Sequence, residues 1–113
     1  MTGKIDVNQL KNYINGEWVE PKSSNYRDVT NPANGTKLVD VPLSGNDDVN
    51  EAVAAAKAAQ KEWALEPAPM RAEILYEVGR IMKERKEHLS QILTKENGKV
   101  LEEARGEVQE GID

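Results

Sequence analysis

Three glutamates near the end of the chain, Glu103, Glu107 and Glu110, recur at steps of four and three. On a helix that spacing places their carboxylates on one face. Such a cluster could hold a metal ion or divide acid and base roles, given a converging partner. Neither an E-x-x-H nor an H-E-x-x-H pattern supplies that partner, and a solvated acidic face is the stronger reading because charge runs lie mostly at surfaces. Glu84 and His88, four apart, read likewise as an exposed helix pair rather than a dyad. His88 is the only histidine, too few for a metal triad or a Ser-His-Asp site within one chain. The chain has no cysteine, which removes disulfides, thiolate metal sites and a Cys nucleophile together.

The glycines build no phosphate cradle. Neither G-x-G-x-x-G nor G-x-x-x-x-G-K-[ST] occurs, and Gly98-Lys99 follows a helical pattern instead of a strand. Gly106 and Gly111 fall inside a third helical pattern, where each costs about 1 kcal/mol relative to Ala unless a neighbour packs closely. Trp18 and Trp63 could stack on a cofactor, but core or rim packing is the commoner role. From these residues no catalytic set and no cofactor-binding set can be assembled, and metal binding is left undecided.

The elements that would position those side chains come in two blocks. Residues 1–43 read as short strands and a hairpin. Tyr13-Ile14 and Glu17-Trp18-Val19 flank Asn15-Gly16, the dipeptide suited to a two-residue turn because both positions need positive φ. A strand over Tyr26 to Val29 stops at Asn31-Pro32, Asn34-Gly35 makes a second turn, and Leu38 to Val41 leads to Pro42. Residues 44–113 turn helical, with helices expected at about 46–65, 69–97 and 100–113. Ser44 with Asp47 resembles a capping box at the first start, and Pro69 suits the first turn of the second helix. The apolar stripe of that second helix lapses over Lys83-Glu84-Arg85-Lys86-Glu87-His88. The third pattern is still running at Ile112-Asp113, so both blocks read as parts of one truncated domain.

Composition narrows the classes further. The 113 residues are 38% hydrophobic, 31% charged and 4% aromatic, without Phe. A net charge of −5 opposes a nucleic-acid partner. No apolar run approaches the ~18 residues of a membrane span. Met1-Thr2-Gly3-Lys4-Ile5-Asp6 has no apolar leader core, so the expectation is a cytoplasmic chain in which Asn34-Gly35-Thr36 is a turn and not a glycosylation site.

Taken in order, several pieces resemble the N-terminal part of the NAD(P)-dependent aldehyde dehydrogenase superfamily. They are Tyr13-Ile14-Asn15-Gly16-Glu17-Trp18, Val29-Thr30-Asn31-Pro32-Ala33-Asn34-Gly35 and Asp48-Val49-Asn50-Glu51-Ala52-Val53 leading to Ala56-Lys57-Ala58-Ala59. Trp63, the Arg71 to Leu75 stretch, Glu96-Asn97-Gly98-Lys99, Glu103-Ala104 and Gly106-Glu107-Val108 follow. The resemblance implies an α+β fragment, short strands then three helices, taken from an α/β fold whose Rossmann core is missing here. It also implies oxidation of an aldehyde or semialdehyde with NAD or NADP in an oligomeric enzyme whose catalytic Cys, general-base Glu and cofactor strands lie downstream. This chain alone is then expected to be inactive and to bind no cofactor, its partner being the remainder of the dehydrogenase chain. Some relatives hold a monovalent cation at positions matching Val29, Thr30 and Glu107, the other reading of those residues being ordinary packing.

Lys11-Asn12-Tyr13-Ile14-Asn15-Gly16-Glu17-Trp18-Val19-Glu20 looks much like methylmalonate-semialdehyde dehydrogenases, the branch that transfers its acyl group to coenzyme A. Those enzymes place an Arg for the substrate carboxylate where this sequence has Glu110, and an acid there repels a carboxylate. A general semialdehyde or aliphatic aldehyde dehydrogenase stays equally open. The rival class is a non-catalytic helical interaction module. Under the fragment reading, an apolar strip drawn from Val49, Ala56, Val78, Met82, Leu101 and Val108 should lie open.

Overall fold

The computed structural model describes residues 9–113. The opening Met1–Asp6, read above as lacking a leader, lies outside the described residues. Strands precede helices: β1 (Asn12–Ile14), β2 (Glu17–Val19), β3 (Tyr26–Thr30), β4 (Lys37–Pro42), α1 (Asn46–Trp63), α2 (Ala68–Glu84), α3 (Lys86–Asn97) and α4 (Leu101–Ile112). That is the α+β order expected from the sequence. The described residues group into two compact units, one holding β1 to β4 with α1, the other holding the Asn31–Thr36 turn with α2, α3 and α4. The first helix therefore groups with the strands, whereas the change of periodicity places it in the helical block.

In the first unit β1 and β2 pair antiparallel, with Tyr13 opposite Trp18. Asn15 (φ 53°) and Gly16 (φ 80°) both take the left-handed conformation that a two-residue hairpin requires. The rings of Tyr13 and Trp18 tilt against each other at 4.9 Å, a cross-strand pair that pins the register. Strands β3 and β4 pair from Tyr26↔Pro42 to Thr30↔Lys37, with a bulge between Val29 and Thr30. Pro42 sits at the end of its strand, where a missing N–H interrupts no ladder.

The start of α1 corrects the expected capping box by one residue. Gly45 is extended (φ −93°, ψ −174°) and precedes the helix, and its N–H donates to the Asp48 carboxylate at 3.0 Å. Ser44 instead exchanges hydrogen bonds with the Asn12 side chain, at 2.9 and 3.1 Å. Asp47 stays exposed in the first turn, where its charge still favours the positive end of the dipole.

In the second unit, the helix expected over 69–97 is two helices broken at Arg85 (φ −98°, ψ 8°). The break falls in the charged run, where no apolar residue anchors a continuous stripe. It is local, because the Arg85 N–H still reaches the Ile81 carbonyl at 3.0 Å and the Arg85 carbonyl accepts from Leu89 at 2.9 Å. Both α2 and α3 pack on α4. At the centre lie two small side chains, Ser90 and Ala104, each 0% exposed. The Ser90 hydroxyl donates to the Lys86 carbonyl at 2.7 Å, so its burial leaves no polar atom unpaired. Gly98 ends α3 in the left-handed conformation (φ 82°). A Cβ there would lie 2.8 Å from Pro32 Cγ in the Asn31–Thr36 turn.

Candidate functional site

Asp48 is the one carboxylate among the described residues that the fold buries, at 5% exposure. It accepts the Lys22 N–H at 2.8 Å and the Gly45 N–H at 3.0 Å. These two donors, Lys22 first, hold its carboxyl below the usual carboxylate range. The Lys22 ammonium meanwhile pairs with Glu51 at 2.8 Å, one turn further along α1. Sequence reasoning overlooked this node because it assigned the cap to Ser44. The usable signal was a glycine, an acceptable cap residue, three positions before an acid.

Shallow grooves flank the node. One of about 270 Å3 runs along α1 over Ala52, Ala55, Ala56 and Ala59, with Tyr13 and Ile14 on its other wall. A neighbouring depression of about 210 Å3 is bounded by Asn12, Ser44, Asp48 and Val49. Neither gathers the nucleophile, base and oxyanion donors that a reaction centre needs. Trp18 lies 57% exposed beside Tyr13 and Trp63 closes α1, so both sit on the rim rather than in a core.

The remaining sequence candidates are dispersed into ion pairs and packing. Glu103, Glu107 and Glu110 are exposed on α4, and Glu107 pairs with the Lys99 ammonium. Glu84 pairs with Arg80, while His88 lies beyond the Arg85 break on α3, so the two form no pair on one helix. Glu87 is bound through both carboxylate oxygens by Arg105, at 2.8 and 2.9 Å, which lowers its pKa. Val29 and Thr30 lie on β3 in the first unit and Glu107 on α4 in the second. Gly111 packs against Met82, its virtual Cβ 3.2 Å from Cε, whereas Gly106 faces open space. Among the described residues no group of three His, Cys, Asp or Glu could hold a metal ion. No helix there is long and apolar enough to cross a membrane.

The phosphates of a dinucleotide do not fit the start of α1. There β4 leads through Leu43–Gly45 into α1, a strand–loop–helix order of the kind that can present a helix N-terminus to a phosphate. Its helix start already holds the Asp48 carboxylate on Gly45, with Asp47 beside it. Two acids there repel a phosphate.

Comparison with known proteins supplies the context. The model of the aldehyde dehydrogenase family matches residues 18–113. A malonate-semialdehyde dehydrogenase of Listeria innocua is 47% identical over 108 residues, 96% of this chain and 22% of that enzyme. The lactaldehyde dehydrogenase of Escherichia coli superposes with a TM-score of 0.88 at 32% identity, over 93% of this chain and 22% of that one. A betaine aldehyde dehydrogenase from Staphylococcus aureus, solved with NAD+, gives a TM-score of 0.83 at 32% identity over 91% and 21%. The chain thus spans about a fifth of the length of the relatives it matches.

Proposed function

The chain belongs to the aldehyde dehydrogenase family, and from that premise we propose that it is the N-terminal part of an enzyme that oxidises an aldehyde or semialdehyde with NAD or NADP. The observation that carries this reading is the match over residues 18–113 joined to 47% identity with a malonate-semialdehyde dehydrogenase. Its own contribution is architectural. We read these residues as a scaffold, with dinucleotide binding, hydride transfer and acyl release carried by the rest of the protein. In this reading the complete enzyme is a cytoplasmic homo-oligomer, and the partner of these segments is the remainder of their own chain.

Exposed apolar side chains support that reading. On α2, Ile74, Leu75 and Val78 are 54%, 69% and 48% exposed, and Val49 and Val53 on α1 are open to a similar degree. The strip differs from the sequence expectation: Met82, Leu101 and Val108 are half-buried within the second unit, where α4 packs on α2 and α3, whereas Val49, Ala56 and Val78 stay open. Two buried polar atoms, Arg71 Nε and Thr94 Oγ1, have no hydrogen-bond partner among the described residues, an unusual state for a finished interior. The test is to offer the purified chain aliphatic aldehydes and semialdehydes with NAD+ or NADP+ and follow the reduced nicotinamide. No turnover is expected. Aldehyde-dependent formation of NADH or NADPH by this chain alone would overturn the proposal.

A further inference from the structure

Asn-Gly occurs three times, at Asn15-Gly16, Asn34-Gly35 and Asn97-Gly98. The dipeptide is chemically weak, because glycine carries no side chain to hinder its backbone nitrogen from attacking the preceding carboxamide. All six residues are exposed, so water reaches each pair. Hydrogen bonding separates them.

At Asn34-Gly35 the Gly35 N–H donates to the Asn31 carbonyl at 2.7 Å. The Asn34 Oδ1 accepts from the Thr36 N–H at 3.0 Å and from its hydroxyl at 2.8 Å. At Asn97-Gly98 the Gly98 N–H donates to the Thr94 carbonyl at 2.9 Å, and Asn97 Oδ1 accepts from the Lys99 N–H at 2.9 Å. In both pairs the attacking nitrogen and the attacked carboxamide are each already held. The Pro32 ring stands close on the side of Gly98 where a Cβ would lie. At the hairpin tip neither the Gly16 N–H nor the Asn15 carboxamide has a hydrogen-bond partner among the described residues. The strands behind that tip are three residues each, short enough for the turn to open and let Asn15 rotate out of its left-handed conformation.

We propose that Asn15 is the spontaneous deamidation site of this protein, and that the fold protects the other two Asn-Gly pairs. The Gly16 nitrogen, losing its proton, bonds to Asn15 Cγ, and the carboxamide nitrogen leaves as ammonia, closing a five-membered succinimide. Water then opens that ring. Attack at Cγ gives an aspartate in a normal backbone, and attack at the main-chain carbonyl carbon gives isoaspartate, with the backbone routed through the side chain. No electrons are transferred and the only co-reactant is water. Either product puts a negative charge two residues before Glu17, the first residue of β2. Isoaspartate also lengthens the turn by one backbone atom, which undoes the Tyr13–Trp18 register.

The experiment incubates the whole chain at mildly alkaline pH, with and without urea, and follows the three peptides by mass spectrometry, with enzymatic methylation reporting isoaspartate. In the folded chain Asn15 is expected to convert about tenfold faster than Asn34 or Asn97, the ratio that ~1.4 kcal/mol of extra restraint sets and that two modest hydrogen bonds can supply. In urea the three rates should converge. Conversion of Asn34 or Asn97 as fast as Asn15 in the folded chain would overturn the proposal, and so would an Asn15 preference that survives unchanged in urea.

Discussion

The Asp48 carboxylate on the first turn of α1 accepts the backbone N–H of Lys22 at 2.8 Å, across twenty-six residues of sequence. One side chain thereby ties the loop after β2 to the start of the helix, while its second oxygen takes the Gly45 N–H. Replacing Asp48 by Ala strands both donors in a nearly closed site. The expected result is a clearly lower Tm, whereas Asp47→Ala, on the exposed side of the same turn, should change little. Thermal melts of the two variants make the comparison.

Acid should reproduce the same loss. The folded pKa of Asp48 is lowered by its two backbone donors, so the unfolded chain takes up the proton first. The stabilisation is complete above the ordinary carboxylate value and fades as pH falls through the lower, folded value. Melts across that acidic range should show the fade in the native chain and a shallower one in Asp48→Asn. Parallel curves would contradict the assignment.

Gly98 meets two demands at once, a positive φ of 82° and the approach of Pro32. Gly98→Ala should cost about 1–2 kcal/mol from backbone conformation alone, with the contact adding to it. Urea unfolding measures the loss, and on a Pro32→Ala background it should shrink, since neighbouring substitutions couple.

Two other glycines should respond unequally. Gly106 lies within α4 and a Cβ there meets nothing within 4 Å. Gly106→Ala should therefore stabilise by up to about 1 kcal/mol. Gly111→Ala places its Cβ 3.2 Å from Met82 Cε, so the gain in helix propensity is offset by displacement of Met82. Ala104→Leu, at a 0% exposed position, should cost about 1–3 kcal/mol by overpacking. Urea unfolding of the three variants reads each sign directly.

What the sequence disclosed is what local chemistry dictates. Asn15-Gly16 announced its hairpin because few other pairs accept positive φ twice, and Gly98 announced the end of α3 for a similar reason. The lapse of apolar residues over Lys83 to His88 was visible, but a stripe that pauses does not tell a solvated helix from a broken one; the backbone at Arg85 decides that. The cap moved from Ser44 to Gly45 because Asn12, thirty-two residues away, engages the Ser44 hydroxyl, and local spacing carries no trace of such a partner. Burial at Ser90 and exposure at Leu75 were likewise hidden, since apolar character marks the faces that become covered, not the element that covers them. Of the Asp48 node only Gly45 three positions before an acid was legible, whereas the family was legible through ordered motifs such as Glu96-Asn97-Gly98-Lys99, which hold no chemistry singly.

The central proposal is that these residues complete an aldehyde dehydrogenase whose chemistry lies elsewhere in its chain. The most direct measurement co-expresses this chain with a malonate-semialdehyde dehydrogenase relative trimmed of its matching segment, and follows aldehyde-dependent NADH formation by the pair and by each part alone. The account predicts turnover from the pair and none from either part. Turnover by the 113-residue chain alone, or a trimmed relative that works equally well without it, would contradict the account.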